Sequence, residues 1–106
     1  MAQKHFKDAI QNKEIVSFTY LGVDRVVEPY LLGLNADGQI TLCAWQMSGE
    51  GGSGWKDYLI DKVRNAAPTE LYFRKARVDY RPNDFCLKHI LAWVGAPKRN
   101  LQDLFF

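Results

Sequence analysis

Basic side chains are concentrated in the C-terminal half of this sequence of 106 residues. Residues 74–99 contain seven lysines and arginines but two acidic residues, whereas residues 1–50 contain four basic and six acidic residues. A local excess of positive charge is typical of a surface that binds anions or nucleic acid, and also of an ordinary solvated flank. The sequence predicts an auxiliary basic surface made of Arg74, Lys75, Arg77 and Arg81.

The side chains that usually carry out catalysis or bind metals form no comparable group. Cys86 and His89 lie three residues apart, but two ligands are fewer than the three or four that zinc requires. The glycine-rich residues 48–54 lack the Gly-Lys-Ser/Thr ending of a phosphate-binding loop, and their serines do not lie on a strand-to-helix elbow. We therefore expect no catalytic residues, no metal site and no cofactor, and a protein that is not an enzyme.

Length and composition indicate a single globular domain over residues 1–106. Hydrophobic residues make up 47% and charged residues 25% of the chain, which excludes a disordered protein. No apolar run approaches the ~20 residues that span a bilayer, and the N-terminus lacks the apolar core of a signal peptide. Two cysteines are too few for a disulfide scaffold. We therefore expect a cytoplasmic protein that does not enter membranes.

One short helix and five strands are predicted to position the basic residues. Phe6, Ala9 and Ile10 recur at helical spacing within residues 3–12. Alternating apolar and polar side chains then predict strands at residues 15–20, 25–34, 39–47, 55–60 and 69–73. Pro29 interrupts the second of these strands, so we expect an edge position or a bulge there.

Turn signals separate the predicted strands. Asn35-Ala-Asp-Gly38 is the strongest, because asparagine, aspartate and glycine tolerate positive φ. The glycine-rich residues 48–54 are expected to form a mobile hairpin loop. A turn or a single helical turn is predicted at residues 61–67, between the fourth and fifth strands.

The pattern changes again towards the C-terminus. Asn83 or Asp84 is a candidate N-cap, residues 86–94 form an apolar stripe at helical spacing, and Gly95 is a stop signal, so a C-terminal helix is predicted. The order of helix, five short strands and helix indicates a mainly β fold with flanking helices. We expect a small antiparallel barrel or rolled sheet whose ends the helices cover.

Three segments carry motifs in a recognisable order. The first ends in Arg25-Val-Val-Glu-Pro29, the second is Gly38-Gln-Ile-Thr-Leu-Cys-Ala-Trp45, and the third is Lys56-Asp-Tyr-Leu-Ile-Asp-Lys-Val63. This succession, which covers residues 8–73, resembles the WYL-domain family. The triplet that names the family falls on Ile40-Thr-Leu42, and two arginines of the family pattern fall on Lys56 and Lys62.

The resemblance implies a five-stranded barrel of the Sm or SH3 type over residues 8–73, followed by a C-terminal helical extension over residues 74–106. It also implies a regulatory sensor module, of the kind found in transcription regulation, whose basic pocket binds an anionic ligand. Nucleotide-like effectors and single-stranded nucleic acid are the ligands proposed for the family. Carried over residue by residue, the ligand-binding residues are Tyr20, Arg25, Lys56 and Lys62. Since the sequence shows no helix-turn-helix domain, we expect an isolated module.

Other interpretations of the same residues stay open. Tyr20 would then be an aromatic residue at the edge of the core. Arg25 would form an ion pair with Glu28 or Asp61 instead of binding a ligand. The main alternative function is a protein-interaction or self-association module that uses the barrel edge, the C-terminal helix or the apolar tail at residues 101–106. We expect that tail to dock onto the domain, because exposed apolar side chains are costly.

Overall fold

The computed structural model describes residues 2–85 and 87–96, apart from the side chain of Asp84. Along the chain these residues form helix α1 (Ala2–Asn12) and strands β1 (Glu14–Tyr20), β2 (Val23–Leu34), β3 (Ile40–Ser48), β4 (Gly54–Leu59), β5 (Val63–Tyr72) and β6 (His89–Trp93). Two 3₁₀ turns, at Ile60–Lys62 and Pro82–Asp84, complete the order. The predicted mainly β fold with an N-terminal helix is confirmed.

Helix α1 forms because one narrow stripe of its surface is apolar. Phe6, Ala9 and Ile10 are almost fully buried, as their helical spacing predicts, and they join the core of the sheet. Lys4 and Asp8 form an ion pair of 3.0 Å on the opposite, exposed side. The helix ends at Asn12, and the next residue, Lys13, adopts a positive φ of 54°. None of the described helices is long and apolar enough to cross a membrane.

All strand pairs in the sheet are antiparallel. The order is β4-β3-β2-β1-β5, and β6 pairs with β2. A two-residue turn joins β1 to β2, with Leu21 and Gly22 at φ values of 52° and 78°. Positive φ at both positions matches the twist of the flanking strands, which is why such turns are favoured in hairpins.

Pro29 lies where β2 changes its partner. β1 pairs with β2 as far as Val27, and β6 pairs with it from Leu31 onward. The register against β3 shifts between Pro29 and Leu31. Because proline has no backbone N–H to donate, a bulge between two partner strands accommodates it without the loss of a ladder hydrogen bond. Of the two predicted positions for Pro29, the bulge is confirmed, and β2 is not an edge strand.

The sheet curls so that β4 and β1 face one another across the core. The ring of Tyr58 on β4 contacts Phe18 and Tyr20 of β1 edge to face, with centroids 4.9 and 5.0 Å apart. The backbone N–H of Leu59 donates to the Tyr20 hydroxyl at 3.0 Å. The core between these strands also contains Val16, Val27, Leu32, Leu42, Ala44 and Val63.

The predicted C-terminal helix is wrong, and the described strands number six instead of five. Among the described residues that follow the 3₁₀ turn at Pro82–Asp84, strand β6 pairs with the part of β2 that β1 leaves without a partner. Gly33 permits this approach, because a Cβ atom there would lie 2.2 Å from the carbonyl oxygen of His89. Pairing of an otherwise open strand edge thus overrides the helical spacing of the apolar residues.

Two further predictions concern the C-terminal half. The fifth strand begins at Val63 and not at residue 69, because the turn after β4 is confined to Ile60–Lys62. Cys86 and the apolar tail at residues 101–106 lie outside the described residues. The expectation that this tail docks onto the domain therefore stays a prediction.

Candidate functional site

Arg25 lies at the beginning of β2, directly opposite Phe18 of β1, so its side chain faces the inner side of the curled sheet. Its Nη1 atom donates to Gln46 Oε1 and to the Glu50 carbonyl oxygen, both at 3.1 Å, and its Nη2 atom donates to the Tyr20 carbonyl oxygen at 3.2 Å. Its Nε atom is buried and has no hydrogen-bond partner. The half-buried guanidinium is therefore held by neutral oxygens, and its buried Nε donor is unused.

Gln46 connects Arg25 to the loop between β3 and β4. Its side chain is fully buried, and its Oε1 atom accepts hydrogen bonds from Arg25 and from the Tyr58 hydroxyl, the latter at 2.7 Å. Its Nε2 atom donates to the carbonyl oxygens of Glu50 at 2.9 Å and Gly52 at 2.6 Å. The amide thus uses both donors and both acceptor positions, which explains why a polar side chain is stable at a buried position. Sequence analysis missed Gln46, although a glutamine in line with the inward-facing Leu42 and Ala44 is a usable signal.

Lys56 approaches the same loop from β4. Its Nζ atom lies 3.5 Å from the Gly51 carbonyl oxygen. The loop, residues 49–53 and hereafter the glycine loop, needs glycine because Gly51 and Gly52 have φ values of 89° and 75°. We call Arg25, Gln46 and Lys56 the donor cluster. Within the part of the chain that the structure describes, neither cation of the donor cluster forms a salt bridge.

Tyr20 is placed beside the donor cluster but belongs to the core. Its side chain is 9% exposed, its ring contacts neighbouring aromatic rings edge to face, and its hydroxyl accepts the hydrogen bond from Leu59. The Arg25 Cζ atom lies 5.8 Å from its ring centroid. Tyr20 therefore positions Arg25 and offers no free face for a ligand. Lys62 is exposed and makes no contact with the glycine loop among the described hydrogen bonds.

The auxiliary basic surface is smaller than predicted. Arg74 and Lys75 are exposed, and Arg81 is exposed with its Nη1 atom on the carbonyl oxygens of Val78 and Tyr80. Arg77 does not join them, because its side chain folds back onto the sheet, where it contacts Glu28 and Trp45. Three of the four predicted residues thus remain available to solvent.

Arg77 takes part in a network with Glu28 and Tyr30. Its Nε atom lies 3.1 Å from Glu28 Oε1, and its Cζ atom lies 4.0 Å from the centroid of the Trp45 ring. The Tyr30 hydroxyl donates to Glu28 Oε1 at 3.1 Å and accepts the backbone N–H of Arg77 at 3.0 Å. Burial raises the pKa of the Tyr30 hydroxyl above its usual range, so this donor stays protonated. The network fastens the chain that follows β5 to the sheet.

The domain is expected to lose stability in alkaline solution. Burial raises the pKa of the Tyr58 hydroxyl to about 12, above the value of about 10 for an unfolded tyrosine. The resulting stabilisation is complete below pH ~10 and is lost as the pH rises towards 12, at up to ~1.4 kcal/mol per pH unit. Urea unfolding between pH 8 and 12 measures how steeply the free energy of unfolding falls with pH. Tyr58→Phe should remove the contribution of one proton to that slope, at most ~1.4 kcal/mol per pH unit. Equal slopes for the two proteins would contradict the assignment.

Among the described residues, the donor cluster brings together two cations whose hydrogen bonds all go to neutral oxygens. Within residues 2–85 and 87–96, no group of three or more histidine, cysteine, aspartate or glutamate residues could hold a metal ion. Comparison of the chain with models of known families, with curated proteins and with solved structures finds no match. The resemblance to the WYL-domain family therefore stays a prediction that rests on the motifs themselves.

Proposed function

We propose that this domain is a non-enzymatic regulatory module of the WYL type, in which the donor cluster binds an anionic ligand. The observation that carries the proposal is a half-buried guanidinium and a nearby ammonium group whose partners are all neutral oxygens. A cation removed from water is stabilised most by an anion, and charge-assisted hydrogen bonds are about twice as strong as neutral ones. The unused Nε donor of Arg25 supports the same conclusion.

We further propose that the curled sheet closes as a small barrel of the Sm or SH3 type. Contacts of Tyr58 with Phe18 and Tyr20, together with the Leu59–Tyr20 hydrogen bond, join the two sides of the sheet and support this closure. The donor cluster then lies at one mouth of the barrel, with the glycine loop over it. A mouth that is polar at the rim and aromatic beneath is typical of ligand sites in small barrels.

The terminal phosphate of a nucleotide-like molecule is the ligand that best fits this mouth. A guanidinium fork, an amide and an ammonium group all donate to phosphoryl oxygens, and a terminal phosphate presents several oxygens on a compact group. Single-stranded nucleic acid is usually bound through exposed aromatic rings. The aromatic residues beside the cluster, Tyr20 and Tyr58, are buried instead. Lys62, Arg74, Lys75 and Arg81 would then attract the ligand at longer range.

Adenosine 5′-monophosphate is a suitable probe, with binding followed by amide chemical shifts. We expect shifts at Arg25, Gln46 and the glycine loop, and about tenfold weaker binding by Arg25→Lys, since a tenfold change corresponds to ~1.4 kcal/mol, the scale of one charge-assisted hydrogen bond. Arg81→Lys is the matched control and should change affinity less than about twofold, because that residue is exposed. Thermal melts verify that both variants fold.

Two results would argue against this function. One is the absence of shifts around Arg25, and the other is an equal loss of affinity in Arg25→Lys and Arg81→Lys. A short oligothymidylate that binds more tightly than the nucleotide, with a steep dependence on salt, would instead favour single-stranded nucleic acid as the ligand.

The alternative proposal is self-association with a second copy of this chain. On β6 three large apolar residues, Ile90, Leu91 and Trp93, are 37%, 41% and 36% exposed, which is the observation that favours it. The same patch on two copies can meet about a two-fold axis. Such an apolar contact would persist at salt concentrations that weaken phosphate binding, so the salt series of the binding experiment separates the two proposals.

A further inference from the structure

The glycine loop places its backbone oxygens on the donors that an anion would use. The Glu50 carbonyl oxygen accepts hydrogen bonds from both Arg25 Nη1 and Gln46 Nε2. The next two carbonyl oxygens along the chain, those of Gly51 and Gly52, lie on Lys56 Nζ and Gln46 Nε2. Three successive carbonyl oxygens therefore converge on all three members of the donor cluster.

These oxygens resemble a bound anion in position and in chemistry. Each carries a partial negative charge and accepts N–H donors in the distance range that a phosphoryl oxygen uses. The Glu50 oxygen in particular lies between two donors, where one oxygen of a phosphate would bridge them. The loop and a ligand cannot occupy these positions at once, because each N–H group has one strong hydrogen bond to give.

The contacts that hold the glycine loop in place are few. Glu50, Gly51, Gly52 and Ser53 are exposed, and no apolar side chain lies between residues 49 and 53 to anchor the loop in the core. Within the loop, the Gly52 N–H donates to the Gly49 carbonyl oxygen at 3.2 Å. The closed position thus depends mainly on the bonds to the donor cluster, and a true anion offers those donors stronger bonds.

We propose that the glycine loop is an autoinhibitory contact, which acts as an internal substitute for the ligand and is released when a phosphate binds. This inference rests on the anion site proposed above. Only molecules with an open loop can bind. The apparent dissociation constant therefore equals the intrinsic constant divided by the fraction of molecules whose loop is open. Release of the loop would also change the surface at the mouth of the barrel. A partner could therefore distinguish the ligand-bound module from the free one.

Gly52→Ala tests the competition without altering the donors. Gly52 has a φ of 75°, and a Cβ atom there would meet nothing within 4 Å, so alanine strains the closed loop and does not clash. We expect about fivefold tighter binding of adenosine 5′-monophosphate, from the cost of a left-handed alanine. Gly38→Ala is the matched control, because Gly38 has a φ of 78° with equal space but lies in another turn. If Gly52→Ala binds adenosine 5′-monophosphate no more tightly than Gly38→Ala does, the proposal is overturned.

A second measurement follows the loop itself. In ¹⁵N relaxation of the full chain, we expect the order parameters of Gly51, Gly52 and Ser53 to fall below about 0.6 when the nucleotide saturates the site. Unchanged or higher values, with binding that still depends on Arg25, would overturn the loop proposal and leave the proposed function standing. If neither the unaltered chain nor Gly52→Ala binds the nucleotide or inorganic phosphate, the proposed function fails and this inference fails with it.

Discussion

Gly33→Ala is expected to lower the free energy of unfolding by about 3 kcal/mol, at the upper end of the cost of overpacking. A Cβ atom at this position would lie 2.2 Å from the His89 carbonyl oxygen and 3.2 Å from its carbonyl carbon. Both atoms are backbone, so the clash cannot be relieved by a side-chain rotation. Strand β6 would have to move away from β2, and its buried Ala92, together with Val94 just after the strand, would leave the core.

Urea unfolding measures this loss, and amide hydrogen exchange in β6 locates it. Gly38→Ala is the control, because it pays the conformational cost of a positive φ without a clash and should lose about 1 kcal/mol. Gly33 itself is not among the glycines with positive φ, so its loss would be steric. A Gly33→Ala protein as stable as the unaltered chain would contradict the pairing of β6 with β2 and reopen the predicted C-terminal helix.

Local contacts explain why the first half of the fold could be predicted from the sequence. The apolar stripe of α1 repeats within one helix, and the Asn35 side chain accepts the backbone N–H groups of Asp37 and Gln39 at 2.9 Å. Each of these interactions joins residues that are no more than four positions apart. Spacing and turn chemistry therefore contain the information that these elements need.

Strand β6 could not be identified in this way, because its alternation is broken. The register between β2 and β6 shifts between Leu32 and Gly33, so one extra residue of β6 is accommodated there. As a result Ile90, Leu91 and Trp93 are all partly exposed, while Ala92 is buried. Apolar residues at these spacings resemble a helical stripe. The segment forms a strand because the second half of β2, far earlier in the chain, has no partner from β1 on that side.

In the candidate site, too, some residues could be identified from local motifs, whereas others depend on contacts with distant parts of the chain. Arg25 and Lys56 were singled out by the motifs that resemble the WYL-domain family, and the structure brings both to the glycine loop. Gln46 was missed, because its value lies in contacts with Arg25 and Tyr58, which the sequence separates widely. Arg77 was assigned to the surface because its neighbours are basic, whereas its partner Glu28 lies in β2. Charge spacing along a chain does not reveal such long-range partners.

Arg77→Met is expected to lower the free energy of unfolding by about 2–3 kcal/mol, somewhat below the 3–5 kcal/mol typical of a fully buried ion pair. Methionine keeps an apolar stem over Trp45, but it removes the cation that pairs with Glu28, whose side chain is only 10% exposed. The Arg77 side chain is 36% exposed, so solvent already screens part of the interaction. Glu28→Gln should lower the free energy of unfolding by a similar amount. The double variant should lose clearly less than the sum of the two single losses, because the two groups interact directly.

Arg81→Met separates this role from that of a solvated arginine. Arg81 is exposed and donates to carbonyl oxygens of its own segment, so its replacement should change stability by less than about 0.5 kcal/mol. In nucleotide titrations at several salt concentrations, Arg77→Met should keep the salt dependence of the unaltered chain, since its guanidinium is already neutralised by Glu28. If Arg77→Met were instead fully stable and had a weaker salt dependence, the arginine would belong to the basic surface, and its pairing with Glu28 would contribute nothing to the fold.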